Sequence, residues 1–190
     1  MNQKQSLYIP DGISQVLLHA CCAPCSSAIV EWLLAHDIQP VIYYFNPNIF
    51  PIDEYQIRKN ESRRHASNLG IRWIDGDYDH ESWSDFVHGY ECEPERGRRC
   101  EMCFRYRLLA TAYQAQKEDI AYFATTLASS RWKNLDQINA AGTWAAAQVE
   151  GVSFWAQNWR KEGLQQRRGE LLKQYGFYNQ LYCGCEYSIR

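Results

Sequence analysis

The sequence lacks any apolar run near the ~20 residues needed to cross a bilayer; its longest, such as residues 41–45 and 144–147, stop far short. No membrane association is expected. The opening stretch MNQKQSLYIPDGISQ lacks a basic segment followed by an apolar core, so no secretion signal is expected either. A cytoplasmic location follows as the expectation. The chain shows no internal repeat and no linker-like segment, so residues 1–190 read as one domain. Net charge is only −2, so charge alone demands no polyanionic partner. Finally, residues 19–25 (HACCAPC) contain no glycine. A strand–helix junction there therefore has no glycine-rich loop for a pyrophosphate.

What is abundant is cysteine: eight residues in 190. A chain of this length, 46% hydrophobic and 22% charged, can bury a core without covalent staples. In a reducing compartment such cysteines point to metal binding or redox chemistry rather than to structural crosslinks.

Residues 14–19 (SQVLLH) read as a buried strand, followed by a turn at Ala23-Pro24 and a helix over 26–36. Residues 41–45 (VIYYF), bounded by Pro40 and Asn46-Pro47-Asn48, read as a second strand. A helix is expected over 54–69, closed by Gly70, and a third strand over 71–74. Residues 79–99 read as irregular. Further helices are expected over 100–117, 135–148 and 165–175, with strands over 120–125 and 151–155. This alternation predicts an α/β fold with a parallel sheet flanked by helices.

Seven cysteines fall at informative places. Cys21, Cys22 and Cys25 stand where the first strand gives way to a helix, the usual ligand edge of an open α/β sheet. A helix N-terminus there favours thiolate over thiol. Cys100 and Cys103 share one face at the start of another helix. Two sulfurs from each group make a thiolate cage for either a cubane cluster or a single zinc. Spacing alone leaves both open, although adjacent cysteines and the sulfurs left over fit a purely structural zinc poorly. A third group, Cys183-Gly184-Cys185, suits a strained, easily reduced redox pair, the alternative being further metal ligands or inert thiols. Cys92 stands alone and reads as incidental. Basic residues recur at Arg58-Lys59, Arg63-Arg64, Arg96 to Arg99, Arg105, Arg107, Arg160-Lys161 and Arg167-Arg168. They make either one positive face or ordinary solvated helix faces.

Taken in order, His19-Ala20-Cys21-Cys22-Ala23-Pro24-Cys25, Tyr44 to Ile49, Arg99-Cys100-x-x-Cys103, Thr125-Thr126-Leu127 and Tyr182-Cys183-Gly184-Cys185-x-x-Ser188 resemble the QueH-type epoxyqueuosine reductases. The resemblance runs from about Leu17 to Ser188. It implies a HUP-like (adenine nucleotide α-hydrolase-like) fold and an oxidoreductase of tRNA queuosine biosynthesis, removing the epoxide oxygen of epoxyqueuosine at the wobble position. It implies that Cys21, Cys22, Cys100 and Cys103 ligate a [4Fe–4S] cluster and that Cys183 and Cys185 form a redox-active disulfide. Cys25 becomes either a ligand to a second, adjacent metal or an active-site thiol. One departure stands out: Ser130-Arg131-Trp132-Lys133 occupies a place where the family often has Ser-Pro-x-Lys.

The implied partners are a tRNA carrying epoxyqueuosine and an unidentified electron donor. Asn46 and Asn48 are expected to read the modified base, and Lys133 and Lys161 to meet phosphates. His19, Asp75, Asp77 and Asp79 are candidate proton donors, or else a core histidine and turn-capping aspartates.

Overall fold

A computed structural model describes residues 7–189. Residues 1–6 and 190, and with them the ends of the single-domain expectation, lie outside the described residues. The order is β1 (Gln15–His19), α1 (Ala23–Ala35), β2 (Gln39–Tyr44), α2 (Ile52–Asn68), β3 (Trp73–Asp75), α3 (His80–Phe86), α4 (Arg98–Lys117), β4 (Tyr122–Thr125), α5 (Leu135–Ala147), β5 (Ser153–Phe154) and α6 (Leu164–Gln174). Short 3-10 turns cover Thr126–Ser129 and Glu186–Ser188.

The five strands form one sheet in the order β3-β2-β1-β4-β5, and every pairing is parallel. β1 lies at the centre, with Leu17 opposite Val41 on one side and Phe123 on the other. A central parallel strand is covered on both faces, so it is apolar throughout rather than alternating. Val16, Leu17 and Leu18 are accordingly buried completely. Each such side chain contributes about 1.5–3 kcal/mol. α1 packs against α2 and α6, and α4 against α3 and α5. Gly142, in the middle of α5, is required by close approach: a Cβ there would lie 2.4 Å from the Phe154 ring.

Three expectations shift. α1 begins at Ala23 because Pro24, in its first turn, needs no N–H partner there. β3 starts at Trp73, with Ile71 buried just before it. The stretch 79–99 contains α3. Its N-cap is Asp79, which accepts from the Ser82 backbone N–H at 3.0 Å, and only Trp83 is buried. So short a helix with one apolar anchor carries no readable periodicity.

Candidate metal and thiol centre

β1 and β4 are neighbours, and the chain passes to opposite sides of the sheet from their carboxyl ends. This switch point is where open α/β sheets place their sites. His19 and Thr125 are in register there. The buried imidazole donates from Nε2 to the Phe45 carbonyl at 3.0 Å, so Nδ1 accepts from the Thr125 hydroxyl at 2.8 Å. Burial, reinforced by nearby Arg107, lowers the His19 pKa to about 3, so the ring stays neutral. His19 is a strand-end core residue. Asp79 is spent as a helix cap, and Asp75 pairs with Lys59 at 2.5 Å and accepts from the Asp77 N–H.

Just beyond β1, the sulfurs of Cys21, Cys22 and Cys25 lie within 4.8 Å of one another, with 3.7 Å between the first two. The Cys22 and Cys25 thiols donate to Cys21 and hold its pKa well below the ordinary range, although burial opposes this. Burial first, then that donation, raises Cys22; donation to Cys21 pushes Cys25 up to about 11. Of the three, Cys21 is therefore the thiol most readily deprotonated. Thr126 fixes it in two ways: Oγ1 accepts from the Cys21 N–H at 3.1 Å and donates to Cys21 Sγ at 3.4 Å.

The second pair occupies the first turn of α4. Cys100 Sγ accepts from the Arg96 N–H at 3.3 Å, and burial raises its pKa. Arg107, one turn on from Cys103, donates to its sulfur at 3.9 Å and also to Asn46 Oδ1. Asn46 Nδ2 in turn donates to the Ala20 carbonyl at 2.9 Å. A buried polar chain therefore ties the strand edge bearing the first sulfurs to the helix bearing the second.

The third pair sits in the C-terminal tail, which has little regular structure. Arg58 of α2 donates to the carbonyls of Tyr182 and Cys183, each at 3.2 Å. The Phe50 N–H donates to the Gly184 carbonyl at 2.9 Å, and the Tyr182 hydroxyl donates to the Phe50 carbonyl. Cys183 is exposed and accepts from Lys133 Nζ at 3.1 Å. Cys185 is buried with Trp83, Val87 and Cys103; burial pushes its thiol up to about 11. All eight cysteines are free thiols.

One cavity of about 410 Å³ joins these groups: Cys21, Cys25, Cys100, Cys103, Cys183 and Cys185 all line it. Cys22 is buried within its trio, and Cys92 is exposed outside the lining. Asn46, Asn48 and Lys133 line the cavity, whereas Lys161 is exposed outside it on the turn before α6. The two asparagines differ: Asn46 is committed to Ala20 and Arg107, but Asn48 Oδ1 is buried without a partner. Arg58, Arg107 and Arg168 also line the cavity, and Thr126 supports it. Thr126 has a signal in the Thr125-Thr126-Leu127 motif, and the three arginines have one only as members of the recurring basic residues.

A thiol-lined cavity at the switch point of a parallel α/β sheet defines a metal-binding or redox enzyme rather than a nucleotide-phosphate enzyme. The family model described as epoxyqueuosine reductase QueH matches residues 16–190. Epoxyqueuosine reductase QueH of Haemophilus influenzae is 49% identical over 187 residues, covering 98% of this chain and 76% of that protein. Its counterparts from Acinetobacter baylyi and Thermotoga maritima are 45% and 34% identical, covering 97% and 92% of this chain and 84% and 90% of their own lengths. The chain belongs to the QueH epoxyqueuosine reductase family, and with it to the oxidoreductases.

Proposed function

We propose that this chain removes the epoxide oxygen of epoxyqueuosine at the tRNA wobble position by two-electron reduction, giving queuosine. The observation that carries the reading is the single cavity lined by six cysteines at the sheet's switch point. The donor set fits an iron–sulfur group: three sulfurs lie within 4.8 Å of one another, and two more project from the first turn of α4 into the same space. Cys21, Cys22, Cys100 and Cys103 would hold a [4Fe–4S] cluster. Cys25, as close to Cys21 and Cys22 as a shared ligand must be, would serve a second, adjacent metal. Such a cluster would supply single electrons, and the adjacent metal would supply Lewis acidity.

The chain's own residues provide the rest. Replacing an epoxide by an alkene consumes two electrons and two protons and releases water. Oxidation of the Cys183 and Cys185 dithiol to a disulfide releases that same number of each. Lys133 holds a proton beside Cys183. Burial disfavours its ammonium, but the sulfurs of Cys183 and Cys21 outweigh that and raise its pKa. Its ammonium, 3.1 Å from Cys183 Sγ, bears a proton beside the dithiol and lines the cavity where it would also meet a substrate phosphate. Asn48 offers the uncommitted amide for the modified base. Arg168, whose Nε has no partner, offers a cation to a phosphate.

Among the described residues no helix is long and apolar enough to cross a membrane. Free thiols at all eight positions suit a reducing cytoplasm. The test is a single-turnover assay. Iron-loaded protein, chemically reduced without oxygen, is expected to convert epoxyqueuosine in tRNA to queuosine. No queuosine from a protein with its full iron content contradicts the reading.

A further inference from the structure

Trp132 stands between two cavities. Beside the sulfur cavity lies a second groove of about 460 Å³, bounded by Pro94, Trp132, Tyr187 and Ile189. Glu95, Arg96, Trp132 and Ser188 line both. Trp132 is 73% exposed, more than any other aromatic residue in the exposed set. A lone exposed aromatic needs no explanation by itself. This one differs in that its backbone is clamped from several sides. Arg96 Nε donates to the Trp132 carbonyl at 2.8 Å, and its Nη2 to the Arg131 carbonyl at 3.3 Å. The Trp132 N–H donates to Ser130 Oγ at 3.3 Å, and Arg160 holds the next carbonyl, that of Lys133, at 2.9 Å. Arg96 itself is held at φ +69°, a region costly for a side chain, with its own carbonyl accepting from Gln137.

The groove's other aromatic wall is fixed too: the Arg99 guanidinium lies 4.9 Å from the Tyr187 ring centre. The two cavities therefore share the Trp132 side chain, carried on a backbone held at several points, with the cations Arg96, Lys133 and Arg168 along the first of them. Flat aromatic faces beside cations are what single-stranded RNA recognition uses: bases stack and phosphates pair. If the modified base enters the sulfur cavity, its chain neighbour arrives at the rim where the second groove opens.

We propose that this groove is a nucleobase subsite, which takes the nucleotide next to the modified one in single-stranded RNA, with Trp132 as the stacking partition between the two. The assignment rests on the sulfur cavity being the site of the modified nucleoside. It makes Trp132 a substrate-binding residue, and it predicts that the enzyme prefers RNA over the free nucleoside.

The test compares wild type, Trp132→Ala and Trp132→Phe on an anticodon stem-loop RNA carrying epoxyqueuosine and on the free epoxyqueuosine nucleoside. In Trp132→Ala the KM for the RNA is expected to rise about tenfold or more, the size of one lost base stack. That loss should exceed any loss on the nucleoside by a similar factor, and Trp132→Phe should restore most of it. Wild-type tryptophan emission should fall when the RNA binds, and Trp132→Phe should abolish that fall. An RNA KM within twofold of wild type in Trp132→Ala overturns the subsite, as does an equal loss on both substrates. Absence of turnover by iron-loaded wild type on either substrate contradicts the proposed activity instead, and the emission change with RNA then decides the subsite alone.

Discussion

The first sulfur group and the last are held by different means. Cys21, Cys22 and Cys25 follow the central strand and open α1, so the packing of the whole sheet fixes them. Cys183 is exposed in a tail held by hydrogen bonds from Arg58 and around Phe50, while Cys185 is buried with Trp83 and Val87, of α3 and its C-cap, and Cys103 of α4. A metal centre needs ligands that do not move, because affinity depends on a preformed geometry. A thiol pair that cycles between dithiol and disulfide needs room to change its sulfur–sulfur distance. On the proposed roles, each sulfur group has the support its chemistry would need.

The sharpest way to break this comparison is at the rigid end. Cys21→Ser removes the sulfur on which the trio converges, so anaerobically prepared protein should lose most of its iron, and turnover should fall below detection. Iron retained at the wild-type level would show that the trio is not the metal anchor. At the tail end, Arg58→Met removes one partner of a buried ion pair with Glu54, whose side chains are 3% and 10% exposed, and releases the Tyr182 and Cys183 carbonyls. It should cost about 3–5 kcal/mol in urea unfolding, with iron retained while turnover drops. Loss of iron alongside the tail would erase the distinction.

A milder probe is Gly184→Ala. Gly184 sits at φ +124°, and a Cβ there would lie 3.0 Å from Ile49 Cγ1 and 3.1 Å from Arg58 Nη1. Backbone strain of about 1–3 kcal/mol is expected, read as faster proteolysis of the tail with the rest of the chain protected. The smallest effect concerns pH. His65 of α2 is buried edge-on against Tyr175 and Phe177, and burial lowers its pKa below the ordinary 6.5. The folded protein keeps it neutral while the unfolded chain takes up a proton. Its stabilising contribution is therefore complete above pH 6.5 and is lost as pH falls towards the depressed folded value. A His65→Phe variant should flatten that slope in unfolding measured from pH 7.5 to 5; an unchanged slope would assign it elsewhere.

The same contrast explains what could be read from the sequence. The strand–helix alternation, the parallel sheet and the siting of Cys21 at a strand end all follow from local periodicity, which survives without tertiary information. The grouping of Cys25 with Cys21 and Cys22 follows from α1 starting three residues earlier than its apolar pattern suggests. What stayed hidden depends on long side chains crossing the fold: Arg58 reaching the tail, Arg107 bridging Asn46 and Cys103, and Lys133 reaching Cys183. Lys161 is a binding candidate by residue type, and Asn46 by its place after β2 at the sheet's ligand edge. The first proves exposed outside the cavity lining and the second fully engaged by the protein. Neither outcome leaves a trace in spacing.

The most direct test of the division of labour is the double variant Cys183→Ser/Cys185→Ser, assayed for iron and acid-labile sulfide after anaerobic preparation and for turnover with a dithiol reductant. Metal content should equal wild type, and repeated turnover should be lost. Iron lost together with the tail sulfurs, or repeated turnover undiminished without them, would contradict that division.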